Sequence, residues 1–283
     1  MSTRSRFAEV VRSEPVDLGL ACLLVGGEVD PDLDVDGALA ALDALADTAR
    51  RHVPAGCPPR AAADGLRVAL GEQAGFAGTA RDYDDVRSSL LHEVVRRRRG
   101  LPLTLSVVWV EVARRLGVVA DPVALPGHVV VAVRSGGTAI GYPATGDTAY
   151  VDPFNGGRLL PVEALAAQVR AATGAPLRPE DLEPAIPHDL LLRLLTNVRA
   201  LAARQDRALE AARTRLWATE LSLLLPRHPV ALRRERGELL VRLGDHLRGA
   251  AELDAYAEVV DGADPAAAEQ ARREARLARS RLN

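Results

Sequence analysis

Three segments, in chain order, carry the residue types of a nucleophile-histidine-carboxylate site: GLPLTLSVVWVEVARRLG at 100–117, LPGHVVV at 125–131 and YVDPFNGG at 150–157. In such a site a cysteine opens a buried helix, where the helix dipole lowers its pKa. A histidine and an aspartate from neighbouring strands then deprotonate and orient. His128 and Asp152 fill the second and third places, and Asn155 is a further polar residue able to line the site. The helix itself opens on proline. Its hydroxyls, Thr104 and Ser106, do not stand at the N-terminal tip, and Ser106 lies one turn inside, which argues against a hydroxyl nucleophile. Cys57 sits in a separate proline-rich loop and Cys22 in an apolar helix, so both read as packing residues. Each member of the pair also has a structural reading. A histidine after Pro-Gly at a strand entrance can be purely structural, and an aspartate before proline commonly binds nearby backbone donors. Their joint order behind a proline-opened buried helix favours a retained site.

The elements that must position these residues follow from pattern. Pro102 suits a first helical turn, and the positions after it are apolar almost all round until Arg114, which predicts a buried central helix. Valine-rich runs at Val118 to Leu125, Val129 to Val133 and Ala149 to Val151 are separated by PGH, RSGGT and ATGD turns, which predicts an antiparallel sheet packed on that helix. Upstream, Val16 to Gly75 has a helical pattern, with Leu39, Leu42 and Leu45 on one stripe and HVPAGCPPR separating two helices. A helix is predicted over Asp84 to Arg99, its four closing arginines and Gly100 matching a cationic last turn followed by a C′ glycine. The arginine run reads as a cap, since a nucleic-acid patch would need stacking aromatics and those make up only 3% of the chain. Leu159 to Ala172 reads as a further helix.

GAPLRPEDLEPAIP, four prolines in fourteen residues, is the best linker in the chain and sets a boundary near Pro187. Beyond it only helices are predicted, at Leu190 to Arg204, Ala208 to Leu225, Ala231 to Leu243, Leu247 to Val260 and Pro265 to Leu282. Pro229 and Pro265 lie 36 positions apart and each precedes a helix, while Ala250 and Ala251 are small where paired helices approach. That spacing is near the 34 of tetratricopeptide repeats, with a plain helical bundle as the alternative.

RRRRGLPLTLSVVWVEVARRLG, LPGH and VDPFNGG together resemble the SirB-type branch of the transglutaminase-like superfamily, which shares a G-[IL]-P-[IL]-[ST]-L-S opening. PDLDV early in the chain, the GF before the arginine helix and the terminal helices fit the same family. The superfamily core commonly reads G-x-C, an alanine four residues on, and leucine-glycine closing the helix. Laid on Gly100, the cysteine position falls on Pro102, the alanine position on Ser106 and the closing glycine on Gly117. The resemblance therefore implies a remnant triad of Pro102, His128 and Asp152, the helix kept and the nucleophile removed. It also implies an α+β fold: a papain/transglutaminase-like domain, helices on a small antiparallel sheet, then an all-α tetratricopeptide-like region. The expected divisions are a helical subdomain at 1–80, the core at 81–187 and the repeats at 188–283. One departure is Val129, where an aromatic often follows the histidine, so what shields His128 is left open.

Bulk properties narrow the function. A formal net charge of -2 gives no global attraction to nucleic acid or to an anionic membrane, and every basic residue other than histidine is arginine. No apolar run approaches the roughly 18 residues that span a bilayer, and the longest, Leu101 to Ala113, is broken by Glu111. The mixed charges of the first residues do not make a secretory signal, which leads us to expect a cytoplasmic protein. Two cysteines without CxxC spacing suggest neither a disulfide scaffold nor a zinc site, and no cofactor or metal is expected. The favoured function is a noncatalytic module that binds a protein or peptide partner. The alternative is a hydrolase or acyltransferase using His128 and Asp152 with an unrecognised nucleophile. A DNA-associated role has no helix-turn-helix signature or basic charge behind it.

Overall fold

A computed structural model describes residues 2–134 and 147–281, so the RSGGT and ATGD turns fall largely outside the described residues. The chain divides into two compact units, one of Asp17–Leu190 and one of Met1–Val16 with Leu191–Asn283. The divisions thus fall after residues 16 and 190, rather than at 80 and 187. The helices before residue 80 make no separate subdomain, because α2 (Leu18–Gly26) and α3 (Val35–Ala49) pack directly on the central helix.

That central helix, α6 (Pro102–Arg115), is built as its sequence requires. Proline occupies its first position, where the missing N–H has no intrahelical partner to lose. Every residue from Pro102 to Trp109 is buried, and so are Glu111, Val112 and Ala113. α6 is flanked by α2, α3, α5 (Leu91–Arg97) and two strands. The buried Glu111 is neutralised by Arg114 at 2.9 Å and Arg115 at 2.5 Å.

The sheet is a four-stranded antiparallel meander, β1 (Val119–Leu125), β2 (His128–Arg134), β3 (Thr148–Asp152) and β4 (Arg158–Leu160). β1 and β2 close through Pro126 and Gly127, with Leu125 paired to His128; Gly127 has φ +74°, as a proline-glycine turn of type II demands. β4 is absent from the sequence expectation: Leu159 and Leu160 pair with Val151 and Tyr150, and the helix there, α7, begins only at Val162 and runs to Thr173. One face of the sheet packs Val123, Leu125, Val130, Ala132 and Tyr150 against Leu165 and Val169 of α7.

Two further elements differ from expectation. The helix predicted over Asp84 to Arg99 breaks into 3₁₀ turns at Ala80–Asp84 and Val86–Ser89 before α5, since Asp85 and Leu90 are extended. Its left-handed terminal residue is Arg98, φ 61°, not Gly100, and the Arg98 guanidinium lies 4.9 Å over the Phe76 ring. After α4 (Pro59–Leu66) the chain widens into a π-helix, Arg67–Gln73. There Gly71 lies so close to the Gly156 carbonyl that a side chain would fall 2.0 Å from its oxygen.

The second unit consists of helices: α8 (Pro187–Ala203), α9 (Ala208–Leu224), α10 (Ala231–Arg242), α11 (His246–Val260) and α12 (Pro265–Ser280), joined by the short N-terminal α1 (Thr3–Val10). Consecutive helices from α9 to α12 are neighbours. One close crossing uses Gly237 and Gly249: a side chain on Gly249 would stand 2.6 Å from Val241 and 2.8 Å from the Gly237 carbonyl. Ala250 is buried nearby, whereas Ala251 is exposed and takes no part. α10 is too polar to be held by apolar contact alone. Instead Glu235 meets Arg199 of α8 and Arg215 of α9, Arg236 meets Glu220 of α9 and Glu252 of α11, and Arg234 meets Glu274 of α12.

Candidate functional site

Sheet register brings the two candidate polar residues together. β2 and β3 pair Val131 with Val151, and one further step along that ladder sets Asp152 across from Val130, diagonal to His128 on the same face. His128 Nε2 is 3.0 Å from Asp152 Oδ1. The carboxylate is 1% exposed on its side chain and the imidazole 16%, so the pair is sunk but reachable at the histidine.

Asp152 is also the cap of the turn that follows it. Its Oδ1 accepts from the backbone N–H groups of Phe154, 3.1 Å, and Asn155, 3.3 Å, and its Oδ2 accepts from Asn155 Nδ2 at 2.7 Å. Burial pushes the carboxyl pKa up, but the hydrogen bonds from His128 and Asn155 outweigh it and hold Asp152 below the usual carboxylate range. The ionised carboxylate can only accept, so His128 Nε2 is the donor and Nδ1 is the nitrogen turned away from Asp152. Asn155 therefore belongs to the site as the second anchor of the carboxylate.

Phe154 and Tyr83 complete it. The Phe154 ring stands edge-on to His128, centroids 6.1 Å apart, and Tyr83 packs on Phe154 at 5.6 Å. Phe154 thus supplies the aromatic shield that Val129 lacks. It is held by Gly78, whose N–H donates to the Phe154 carbonyl at 2.8 Å and whose Cα lies under the ring; a side chain there would come within 2.0 Å of it. Sequence reasoning missed Phe154, Tyr83 and Gly78. Phe154 lies past the end of β3, in the 3₁₀ turn Pro153–Asn155 that Asp152 caps, so no strand periodicity pointed to it.

α6 abuts this arrangement through the 3₁₀ turn Pro153–Asn155 and through Ser106, whose hydroxyl bonds the Pro102 carbonyl at 2.7 Å and the Val129 carbonyl at 3.4 Å. Thr104 is turned elsewhere: its hydroxyl bonds the carbonyls of Ser88, 2.7 Å, and Leu101, 3.1 Å. Both hydroxyls are buried and committed to backbone acceptors. Pro102, at the helix tip, offers neither a nucleophilic atom nor a backbone N–H of the kind that stabilises an oxyanion. Cys22 is buried in α2, and burial together with Glu111 and Asp17 pushes its thiol pKa up, the reverse of an activated thiolate. Cys57 is half-buried. Among the described residues no group of three or more His, Cys, Asp or Glu side chains is placed to hold a metal ion. Two surface clefts, one among α10, α11 and α12 and one beside Pro58, Arg60 and Leu159, include neither His128 nor Asp152. The geometry can bind and orient a proton at His128, and neither Pro102 nor the bonded hydroxyls of Thr104 and Ser106 offers an attacking atom.

Comparison with known proteins gives the superfamily. The sequence pattern described as Transglutaminase-like superfamily matches residues 36–196, from α3 into α8. A UPF0162 protein of Xylella fastidiosa (strain 9a5c) is 32% identical over 257 residues, which cover 88% of this chain and 86% of that one. A UPF0162 protein of Pseudomonas aeruginosa is 30% identical over 224 residues, 78% of each chain. Human F-box only protein 21 is 31% identical over 100 residues, which are 35% of this chain and 16% of that protein. No solved structure matches the chain. On the match over 36–196 and the likeness to UPF0162 proteins along most of its length, the chain belongs to the transglutaminase-like superfamily.

Proposed function

We propose that this is a noncatalytic, SirB-type transglutaminase-like protein that binds a protein or peptide in the cytoplasm, with its tetratricopeptide-like helices as a second interaction surface. The observation that carries this reading is Pro102 at the first position of α6, where it withholds both thiol and N–H while the His128–Asp152 pair persists at 3.0 Å. A site that keeps its orienting pair and its aromatic wall without a nucleophile is suited to recognition rather than turnover. The repeat assignment is supported by two helix-turn-helix pairs, α9 with α10 and α11 with α12, stacked in sequence, and by the glycine crossing at Gly237 and Gly249. A shared stretch amounting to 16% of F-box only protein 21 supports use of the core as a module within longer chains. The two free cysteines fit a reducing compartment.

A second reading, a hydrolase or acyltransferase with an unrecognised nucleophile, is favoured by one observation, the intact His128–Asp152 bond. It has to find its nucleophile outside Thr104, Ser106 and Cys22, whose heteroatoms are bonded or buried. Pro102→Cys tests the alignment beneath both readings. If Pro102 holds the nucleophile position, a thiol there should react with iodoacetamide below about pH 8.5, faster than Cys57 in the parent chain, because helix dipole and histidine favour the thiolate. A Pro102→Cys thiol of ordinary reactivity contradicts the placing of Pro102 at the nucleophile position.

A further inference from the structure

The N-terminal helix does not belong with the residues that follow it in sequence. Residues Met1–Val16 cluster with the C-terminal helical unit, although the core of Asp17–Leu190 separates the two in the chain. The attachment has a defined chemistry. Phe7 and Val11 are 0% exposed, and Arg4 Nη1 reaches Glu220 Oε2 of α9 at 2.5 Å. Arg4, Phe7 and Val11 stand at i, i+3 and i+7, one stripe of a helix, with charge at one end and apolar anchors along the rest. α1 has only eight residues, too few to be helical alone, so its helicity depends on its seat. Ser2 caps it through the Ser5 N–H, and the residues after Val11, Arg12 to Pro15, are exposed.

The seat has an acidic anchor. Glu220 is 14% exposed on its side chain; its Oε1 takes Arg236 at 3.2 Å and its Oε2 takes Arg4. Removal of α1 would leave a largely buried carboxylate oxygen without its cation and would uncover the apolar surface that Phe7 and Val11 bury. A groove that asks for a cation and two apolar side chains on one helical stripe is specific about what fills it.

We infer that α1 is an exchangeable latch: it occupies the partner groove of the helical unit, and the partner is an amphipathic helix presenting arginine, a large apolar residue and a smaller one at the spacing of Arg4, Phe7 and Val11. The inference rests on the protein-binding reading above and names the partner's chemistry. Attachment through the short exposed stretch Arg12 to Pro15 gives α1 a local concentration of about millimolar, so an equal free helix competes poorly until the latch is weakened.

The test uses the full chain and a fluorescein-labelled peptide of residues 2–16, followed by anisotropy. A chain carrying Arg4→Gln and Phe7→Ala should bind the peptide at least about tenfold more tightly than the parent chain, because cis competition is gone. A peptide carrying Phe7→Ala should not compete. Circular dichroism should show the helices of the unit intact in both chains, the double variant losing no more than the eight residues of α1. Equal binding to the two chains, or no binding to a folded double variant, overturns the proposal and makes α1 a fixed part of the unit. Should the double variant lose the helical unit, the same conclusion follows, and the milder Arg4→Gln chain, which keeps both apolar anchors, must then bind the peptide no better than the parent. Failure here leaves the absence of turnover at His128 untouched, since the peptide reads only the α1 seat.

Discussion

Asp152→Ala tests whether one carboxylate holds the site together. The substitution removes an acceptor used by His128 Nε2, by two backbone N–H groups and by Asn155 Nδ2, at distances from 2.7 to 3.3 Å. Charged hydrogen bonds are worth about 1.5–3 kcal/mol each, but these share one group and the histidine keeps some solvent. The lost turn cap adds about 1 kcal/mol. The expected loss is about 3 kcal/mol, the low end for stripping one partner from a buried pair and a large share of the roughly 5–15 kcal/mol a domain has. Asp152→Asn keeps the Oδ1 acceptor and should lose about 1 kcal/mol, a neutral bond replacing a charged one. Urea unfolding measures this well because the two tryptophans fall in different units: Trp109 is fully buried within Asp17–Leu190, and Trp217 lies on α9. In a Trp217→Phe background, Trp109 fluorescence reports the unit that holds Asp152. The pH dependence fixes the sign. Since the folded pKa lies below the unfolded one, the native unit binds fewer protons than the unfolded chain in that window. The stabilisation is therefore whole above about pH 4 and fades as pH falls toward the folded value. A difference between parent and Asp152→Ala below about 1 kcal/mol at pH 7, or one that does not shrink with acid, refutes the reasoning.

Gly249→Ala should destabilise the helical unit by about 1–3 kcal/mol through overpacking against Val241 and the Gly237 carbonyl. In an open helix the same change gains about 1 kcal/mol, so the sign of the Trp217 unfolding shift decides. His92 gives a pH prediction. Its ring lies on Gly26 with Nδ1 buried and without a hydrogen-bond partner, and burial lowers its pKa, while Arg96 also disfavours the charged form and Glu93 and Asp30 oppose the shift. The stability it contributes is complete above about pH 6.5 and declines as pH drops below that, and His92→Phe should flatten that part of the stability-pH curve measured by urea unfolding.

Much of this was legible in the sequence where a single local cause dominates. Pro102 opens α6 where a first-turn proline must, and the five C-terminal helices begin and end within a few residues of their pattern limits. The features that escaped notice depend on remote partners. β4 is three residues long and reads as the start of α7; only pairing with β3 makes it a strand. The segment from Arg67 to Gln73 has a helical pattern, and its widening to a π-helix goes with the Gly71 approach to Gly156, 85 positions away. Asp82, buried and bound by Thr79 and Arg99, ties down the stretch that pattern alone made the start of one long helix. The order of His128 and Asp152 was visible, but Phe154 as the shield was not, because the ring contact is set by the 3₁₀ turn after Asp152 and by the space above Gly78.

The proposal that the orienting pair persists without a nucleophile is tested most directly by hydrolysis of acyl-ester and peptide substrates by the parent chain and by His128→Ala, side by side. The account predicts that both stay at the buffer rate, since Pro102 supplies no attacking atom and the hydroxyls of α6 are bonded to backbone carbonyls. Parent turnover above buffer that disappears in a folded His128→Ala chain would contradict it.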